Sequence, residues 1–244
     1  MKGNLVGKVA IITGGGTGIG AAAGAILAEA GMRVVLVGRR AEMLDLQVAR
    51  IREAGGEAMA MTADVREFGQ VADVVARTLE RCGRLDVFVA NAAVADPCSP
   101  IDQADPAIWA DIITTNVLGV LYSTRAALPA MLAQGWGQVV IMSSVSGRVT
   151  YVGEPAYIAS KHATVAFADC LRQEVASKGI RVAVIEPGAV DTPLAYAYAG
   201  SMDMLPDVAP LDPDDVARAV RYVVEQPEHC NVFEVVLRPT RQVL

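Results

Sequence analysis

Short runs of Val, Ile and Leu alternate with longer helical stretches along the whole chain, and this alternation constrains the fold more than any other feature. Near-continuous apolar runs are typical of parallel strands that are covered on both faces. A repeated β-α-β order with right-handed crossovers places helices on both sides of such a sheet. We therefore predict an α/β fold with one doubly wound parallel sheet. The predicted strands are Lys8–Thr13, Arg33–Val37, Glu57–Thr62, Leu85–Val89, Gly137–Ser143, Ile180–Ile185 and Val232–Leu237.

Helical patterns fill the intervals between these strands. The predicted helices are Ile19–Ala30, Ala41–Ala54, Glu67–Cys82, Asp105–Ala133, Ala156–Lys178 and Pro213–Glu225. The segment Asp191–Leu211 follows neither period, and a long irregular segment after a strand is often a binding loop. No linker or repeat divides the chain, so we predict one domain over residues 1–244 with a substrate loop at about 191–211.

Charge and cysteine usage exclude several classes of partner. The net charge of −6 comes from interspersed side chains without a basic run, which argues against nucleic acid and anionic membranes as partners. No apolar run approaches the roughly 20 residues that span a bilayer, and the first residues lack the apolar core of a signal peptide. We expect a cytoplasmic location. No metal site is predicted, because the ligand-type residues are not spaced for one: Cys82, Cys98, Cys170, Cys230, His162 and His229.

A glycine-rich turn follows the first predicted strand. Its sequence is Gly14-Gly15-Gly16-Thr17-Gly18-Ile19-Gly20, and an Ala-rich helix comes next. Glycine lets the backbone approach a pyrophosphate closely, and the N-terminus of the helix offers unpaired N–H groups to the anion. This order predicts the dinucleotide site of a Rossmann sheet. Two questions stay open: the glycines could serve a tight turn alone, and a second reading of the fingerprint begins at Gly16. A P-loop is excluded because no Lys-Ser/Thr pair follows.

The end of the second strand bears on the choice of cofactor. An NAD site usually carries Asp or Glu about 20 residues after the glycines, whereas this chain has Gly38, Arg39 and Arg40. A carboxylate would repel a ribose 2′-phosphate, and a guanidinium binds one in a fork. We predict NADP(H), with NAD(H) possible and Arg39 as the phosphate ligand. The alternative is that both arginines are solvated residues at the start of a helix.

Tyr157 and Lys161 are four residues apart in a predicted helix, so they share one face. A phenol with a pKa of about 10 is a poor acid–base at neutral pH. A neighbouring ammonium favours the phenolate, so we expect Lys161 to lower the pKa of Tyr157. This pair is suited to proton transfer.

Together these motifs resemble the short-chain dehydrogenase/reductase family over essentially the whole chain. The glycine motif of that family is matched by Thr13, Gly14, Gly18 and Gly20, and its Y-x-x-x-K by Tyr157 and Lys161. One departure follows the fourth strand, where the family's Asn-Asn-Ala-Gly reads Ala90-Asn91-Ala92-Ala93. The cofactor site implied by the resemblance comprises Gly14, Gly16, Thr17, Gly18, Ile19, Gly20, Arg39, Asp64, Val65, Asn91, Ala92, Tyr157, Lys161, Pro187, Gly188, Val190 and Thr192.

The resemblance also implies the catalytic roles. Tyr157 exchanges a proton with the substrate oxygen, and Lys161 tunes that tyrosine and contacts the nicotinamide ribose. Ser144, thirteen residues before Tyr157, orients the substrate oxygen, and Asn116 supports a water relay that reaches Lys161. By contrast, we expect His162 to be packed or exposed, and Arg148 and Glu154 to be solvated.

Apolar and flexible walls predict a small to medium, mostly uncharged substrate. The predicted substrate-binding residues are Ser144, Val145, Tyr151, Gly188, Leu194 and Tyr198, and further wall candidates are Ala95, Tyr196, Met202, Met204 and Leu205. The alternative is that these side chains are packing beneath a lid.

The ending Arg238-Pro239-Thr240, with Leu171–Val175 and Ile185–Gly188, is similar to one branch of the family. That branch contains clavulanic acid dehydrogenase and NADP-linked 3-hydroxy acid dehydrogenases. The resemblance implies an NADP-dependent enzyme that interconverts a carbonyl and an alcohol, assembled as a homotetramer or dimer. Two other functions compete with it. A dinucleotide sensor would lack part of the set Asn116, Ser144, Tyr157 and Lys161, and a sugar-nucleotide epimerase would need a larger C-terminal domain.

Overall fold

The computed structural model describes residues 5–197 and 207–243 and confirms the predicted doubly wound sheet. Within those residues, seven parallel strands lie in the order β3-β2-β1-β4-β5-β6-β7. Each predicted strand overlaps an observed one. The observed strands are β1 Val9–Thr13, β2 Arg33–Gly38, β3 Glu57–Thr62, β4 Val87–Ala90, β5 Gly137–Met142, β6 Ile180–Pro187 and β7 Glu234–Leu237.

Helices cover both faces of the sheet. They are α1 Gly18–Glu29, α2 Ala41–Glu53, α3 Phe68–Cys82, α4 Pro106–Ile112, α5 Gly119–Gln134, α6 Pro155–Val175, α7 Pro193–Ala197 and α8 Pro213–Val224. Adjacent strand residues point to opposite faces. Ile12 therefore packs in the core beneath α1, α2 and α8, and Ile11 packs in the core beneath α3, α5 and α6. This two-sided burial is the physical reason for the continuously apolar strands.

Two predicted segments differ from the observed ones. The predicted helix Asp105–Ala133 is interrupted between α4 and α5 by a π turn, Ile113–Leu118, which contains Asn116. The N–H of Gly119 bonds to the carbonyl of Thr114, one residue further back than in an α-helix. The predicted irregular loop begins with the short helix α7, which starts at Pro193, and residues 198–206 of it lie outside the described residues.

The topology creates a crevice at the carboxyl end of β1. The chain leaves β1 for β2 on one side, and β4 lies on the other, so the connections diverge there. Ligands of open α/β sheets bind at such a switch point. Thr13 and Asn91 join the two strand ends: the Asn91 N–H donates to Thr13 Oγ1 at 3.0 Å, and Asn91 Nδ2 donates to the Thr13 carbonyl at 2.9 Å. The crevice therefore has a fixed floor.

Candidate active site

Two adjoining cavities occupy this crevice. The first, about 370 Å³, lies over the start of α1 and reaches the ends of β2 and β3. The second, about 290 Å³, lies over the end of β5 and the start of α6. Ile19, Asn91 and Thr192 line both cavities, so the two adjoin at these residues.

The first cavity brings together eleven of the predicted cofactor residues. They are Gly14, Gly16, Thr17, Gly18, Ile19, Arg39, Asp64, Val65, Asn91, Ala92 and Thr192. Gly20 does not line it and instead packs the helix against the turn, because a Cβ at Gly20 would lie 2.3 Å from the Gly14 carbonyl oxygen. Sequence reasoning missed Thr115 and Pro193, which also contribute to the wall.

The start of α1 fits a bound pyrophosphate. Gly14 and Gly18 have φ of 68° and 53°, which glycine adopts without strain. A Cβ at Gly14 would lie 2.7 Å from Asn91 Nδ2, so a side chain there would displace the floor of the crevice. Thr17 occupies the N-cap position of α1, but its side chain makes no capping hydrogen bond, and the first turn of the helix holds no acidic residue. The N–H groups of this turn thus face the cavity with the positive end of the helix dipole.

Charged side chains surround the far end of the first cavity. Arg39 and Arg40 are exposed there and line the wall. Asp64 also lines it, and Arg66 Nη2 lies 2.6 Å from the Asp64 carboxylate, while Nη1 of the same guanidinium lies 2.6 Å from Asp111. The hydrogen bonds from Arg66 hold the pKa of Asp64 below its ordinary value. Asp64 is therefore a fixed carboxylate; sequence reasoning missed the arginine that fixes it.

The second cavity brings together Ser144, Tyr157 and Lys161 with Pro187, Gly188 and Val190. Pro155 starts α6, as the sequence predicts for a first-turn proline, and the helix presents Tyr157 and Lys161 on one face. Lys161 is buried, and its Nζ donates to the Met142 carbonyl at 3.0 Å and lies 5.4 Å from the centre of the Tyr157 ring. A phenol, a hydroxyl and an ammonium therefore share one wall.

Burial controls both titratable groups of this wall. It lowers the pKa of Lys161 to about 8 and raises the pKa of Tyr157 above its ordinary value, although a hydrogen bond with Ser144 acts in the opposite direction on the phenol. Burial thus outweighs the expected effect of Lys161, and the pKa of Tyr157 is raised rather than lowered. The reason is that low-polarity surroundings disfavour the phenolate and the ammonium alike.

Asn116 is buried beneath the cavities and lines neither of them. Its Nδ2 donates to the Val94 carbonyl at 2.8 Å and to Ser160 Oγ at 3.0 Å, and its Oδ1 accepts from the Val94 N–H at 2.9 Å. The side chain thus ties the segment after β4 to the helix that carries Tyr157 and Lys161. Its predicted part in a water relay is not visible in these contacts.

Most of the predicted substrate residues lie along the second cavity. Ser144, Val145, Tyr151, Gly188, Leu194 and Ala95 line it. Tyr196 does not, since it is exposed on α7. Tyr198, Met202, Met204 and Leu205 lie outside the described residues. Sequence reasoning missed Ser146, Glu154 and Gln242, which also line this cavity.

The prediction that Glu154 is solvated is wrong, and that for Arg148 is only partly right. Glu154 is 4% exposed and accepts a hydrogen bond from the Tyr151 hydroxyl at 2.9 Å. Arg148 is partly exposed, but its guanidinium pairs with the buried carboxylate of Glu186 at 2.9 Å and with Glu234 at 2.6 Å. These partners lie on distant strands, so no local pattern reveals them. His162 packs with Nδ1 3.0 Å from the Ile158 carbonyl oxygen.

Two features are absent from the part of the chain that the structure describes. Among its residues, no cluster of three or more His, Cys, Asp or Glu side chains is arranged to hold a metal ion. No helix in the same residues is both long enough and apolar enough to cross a bilayer.

Comparison with known proteins gives consistent matches over nearly the whole length. The short chain dehydrogenase family profile matches residues 8–201. An uncharacterized oxidoreductase of Staphylococcus saprophyticus is 38% identical over 234 residues, which cover 95% of this chain and 97% of that protein. A metagenomic short-chain oxidoreductase solved in complex with NADP superposes with a TM-score of 0.85 at 31% identity, covering 98% and 100% of the two chains. The closed form of a serine dehydrogenase complexed with NADP⁺ superposes with a TM-score of 0.90 at 28% sequence identity, covering 97% of this chain and 96% of that one.

Proposed function

The chain belongs to the short-chain dehydrogenase family of oxidoreductases, and from this premise we propose that it interconverts a carbonyl and an alcohol with NADP(H). One observation carries the proposal: Ser144, Tyr157 and Lys161 line a cavity that adjoins the uncapped N-terminus of α1. The residues along the first cavity and around Pro187 would hold the dinucleotide. When bound, NADP(H) supplies or accepts the hydride.

The chain's own residues would supply the proton and hold the substrate. The raised pKa of Tyr157 keeps a proton on its Oη at neutral pH, so this phenol is a donor to a carbonyl oxygen that gains charge. Ser144 Oγ lies beside it to hydrogen-bond the same oxygen. Lys161 places a cation against the phenol, which favours the phenolate that remains after transfer. Asn116 acts as a positioning residue for α6.

Support for NADP(H) over NAD(H) comes from the rim of the first cavity. Arg39 and Arg40 follow β2, where a carboxylate that selects a free ribose hydroxyl would stand, and both are exposed to incoming phosphate. Two proteins similar to this chain are described in complex with NADP and NADP⁺. We therefore assign the 2′-phosphate to Arg39.

Replacing Arg39 by Ala is expected to lower kcat/KM for NADPH about 10- to 100-fold and to leave kcat/KM for NADH within about twofold. The loss corresponds to a charge-assisted hydrogen bond of about 1.5–3 kcal/mol. Arg40→Ala tests the neighbouring guanidinium, and Arg50→Ala, on the exposed face of α2, is the matched control. An unchanged NADPH/NADH ratio in Arg39→Ala would mean that this arginine is only a solvated residue.

The activity itself is tested by following NADPH and NADH oxidation with a panel of ketones and aldehydes, and NADP⁺ and NAD⁺ reduction with the matching alcohols. We expect turnover with at least one pair and a preference for the phosphorylated cofactor. Tight NADPH binding without turnover of any compound would instead favour a dinucleotide sensor with this fold.

We also propose that the protein assembles as a homotetramer or dimer. Exposed apolar side chains at Val236 on β7 and Leu132 on α5 support this proposal.

A further inference from the structure

A row of hydrogen-bonded side chains leads from Ser144 to a carboxylate on the wall of the second cavity. Ser144 Oγ lies 3.2 Å from Ser146 Oγ, and Ser146 Oγ lies 2.8 Å from the Tyr151 hydroxyl. The Tyr151 hydroxyl then donates to Glu154 Oε2 at 2.9 Å. All four side chains line the cavity together with Tyr157. The wall beside the reacting position therefore ends in Glu154.

The direction of these hydrogen bonds makes the wall an acceptor. An ionised carboxylate only accepts, so the Tyr151 hydroxyl must point its hydrogen at Glu154 and receive one from Ser146. Burial and the neighbouring Glu154 charge raise the pKa of Tyr151, which keeps that hydrogen in place. Oε1 of Glu154 lies 3.9 Å from Cys98 Sγ, a weak donor. This end of the cavity thus carries the negative charge of the Glu154 carboxylate.

The remaining charges around the cavity do not favour an anion. Among the described residues that line it, Glu154 and Lys161 are the only acidic or basic side chains, and Lys161 Nζ already donates to the Met142 carbonyl. The segment 198–206 of the sequence contains Asp203 and neither Lys nor Arg. No guanidinium is therefore available in these parts of the chain to pair with a substrate carboxylate, which usually needs such a fork.

We propose that Glu154 selects alcohols and ketones that carry a second hydroxyl or an amino group, and rejects those that carry a carboxylate. The inference rests on the proposed function and narrows its substrate class. A hydroxyl or amino group on the substrate can donate to the oxygens of this wall, whereas a carboxylate meets a like charge in poorly solvated surroundings, which is costly. This differs from the 3-hydroxy acids that some members of the similar branch act on.

Four secondary alcohols of nearly equal size test the inference by NADP⁺ reduction. They are 2-pentanol, 1,3-butanediol, 4-amino-2-butanol and 3-hydroxybutanoate, which differ in the group at the far end of the chain. For the unaltered protein we expect kcat/KM for the amino alcohol and the diol to exceed that for 3-hydroxybutanoate by about 100-fold. In Glu154→Gln, which keeps the shape and an acceptor oxygen for Tyr151, this ratio should fall below about 10.

Two variants control the comparison. Glu154→Asp retains the charge and should keep the order of preference, and Glu53→Gln, an exposed glutamate at the end of α2, should change nothing. Equal or better oxidation of 3-hydroxybutanoate by the unaltered protein overturns the inference, and so does an unchanged ratio in Glu154→Gln. Failure to oxidise any of a wide range of alcohols overturns the proposed function itself. Should Glu154→Gln not fold, the ranking of the four alcohols by the unaltered protein decides alone.

Discussion

Tyr157→Phe is expected to lower kcat/KM for carbonyl reduction by about 10³-fold, within the range that general acid catalysis contributes. Phenylalanine keeps the ring that packs at the start of α6 and removes only the hydroxyl that would donate the proton. NADPH binding should persist, because the glycine turn and Arg39 lie in the other cavity. The measurements are steady-state kinetics with the best substrate and a fluorescence titration of NADPH.

A matched control separates loss of the proton donor from loss of any tyrosine hydroxyl. Tyr222 on α8 is 55% exposed and lines neither cavity, so Tyr222→Phe should retain full activity. Retained turnover in Tyr157→Phe would contradict the assignment of this phenol as the acid. In that case Ser144 would be the next hydroxyl to test in the same cavity.

Lys161→Met is expected to reduce activity by about 10²- to 10³-fold and to stabilise the fold at neutral pH. The pKa of the buried ammonium falls from an ordinary 10.5 to about 8, and this difference corresponds to ~3 kcal/mol of unfavourable burial. Methionine removes that cost but also the hydrogen bond to the Met142 carbonyl, worth about 1 kcal/mol. The expected net gain in the free energy of unfolding is therefore ~2 kcal/mol at pH 7.

The pH dependence gives this prediction a specific signature. Between pH 8 and 10.5 the unfolded chain holds a proton on Lys161 that the folded chain has released, so stability rises with pH in that window. Below about pH 8 Lys161 is protonated in both the folded and the unfolded chain, so the full free-energy cost of burying its ammonium remains. The stability advantage of Lys161→Met over the unaltered protein should thus fall by about 2–3 kcal/mol from pH 7 to pH 10, which removes or slightly reverses it. Urea unfolding at several pH values measures it.

Comparing two proteins at each pH cancels the groups that they share and that do not contact Lys161, such as Lys8. Lys178→Met serves as the reference, because Lys178 is exposed at the end of the short turn after α6 and its replacement should show no such trend. A gap that does not change between pH 7 and pH 10 would show that the Lys161 ammonium is well solvated in the folded protein.

The local sequence carries enough information for the sheet, the glycine turn and the Tyr157–Lys161 pair. Strands buried on both faces must be largely apolar. For this reason β1, β4, β5 and β6 can be predicted from their own sequence, without knowledge of the strands beside them. Gly14 has a φ of 68°, and a Cβ at Gly20 would lie 2.3 Å from the Gly14 carbonyl oxygen, so both glycines are required within the turn itself. The positions of Tyr157 and Lys161 follow from helical geometry, which is local.

The sequence misled where the environment of a charge depends on distant residues. Glu154 looks like an ordinary charged residue before a proline, yet it is buried, and its carboxylate lies near Cys98, which is 56 residues away along the chain. Arg148 reaches Glu186, which is 38 residues away along the chain. The pKa of Tyr157 was expected to fall because Lys161 is near in sequence, but burial, which is a property of the whole crevice, outweighs that neighbour.

By itself, then, the sequence determined the order of the elements, the phosphate-binding turn and the residues that share a helix face, because periodicity and glycine conformation act over a few residues. Only the tertiary structure decided which carboxylates are buried, how Asn116 joins two segments, and that Arg148 pairs with Glu186. Burial and long-range hydrogen bonds exist only once distant segments pack together, so no reading of neighbouring residues could have shown them.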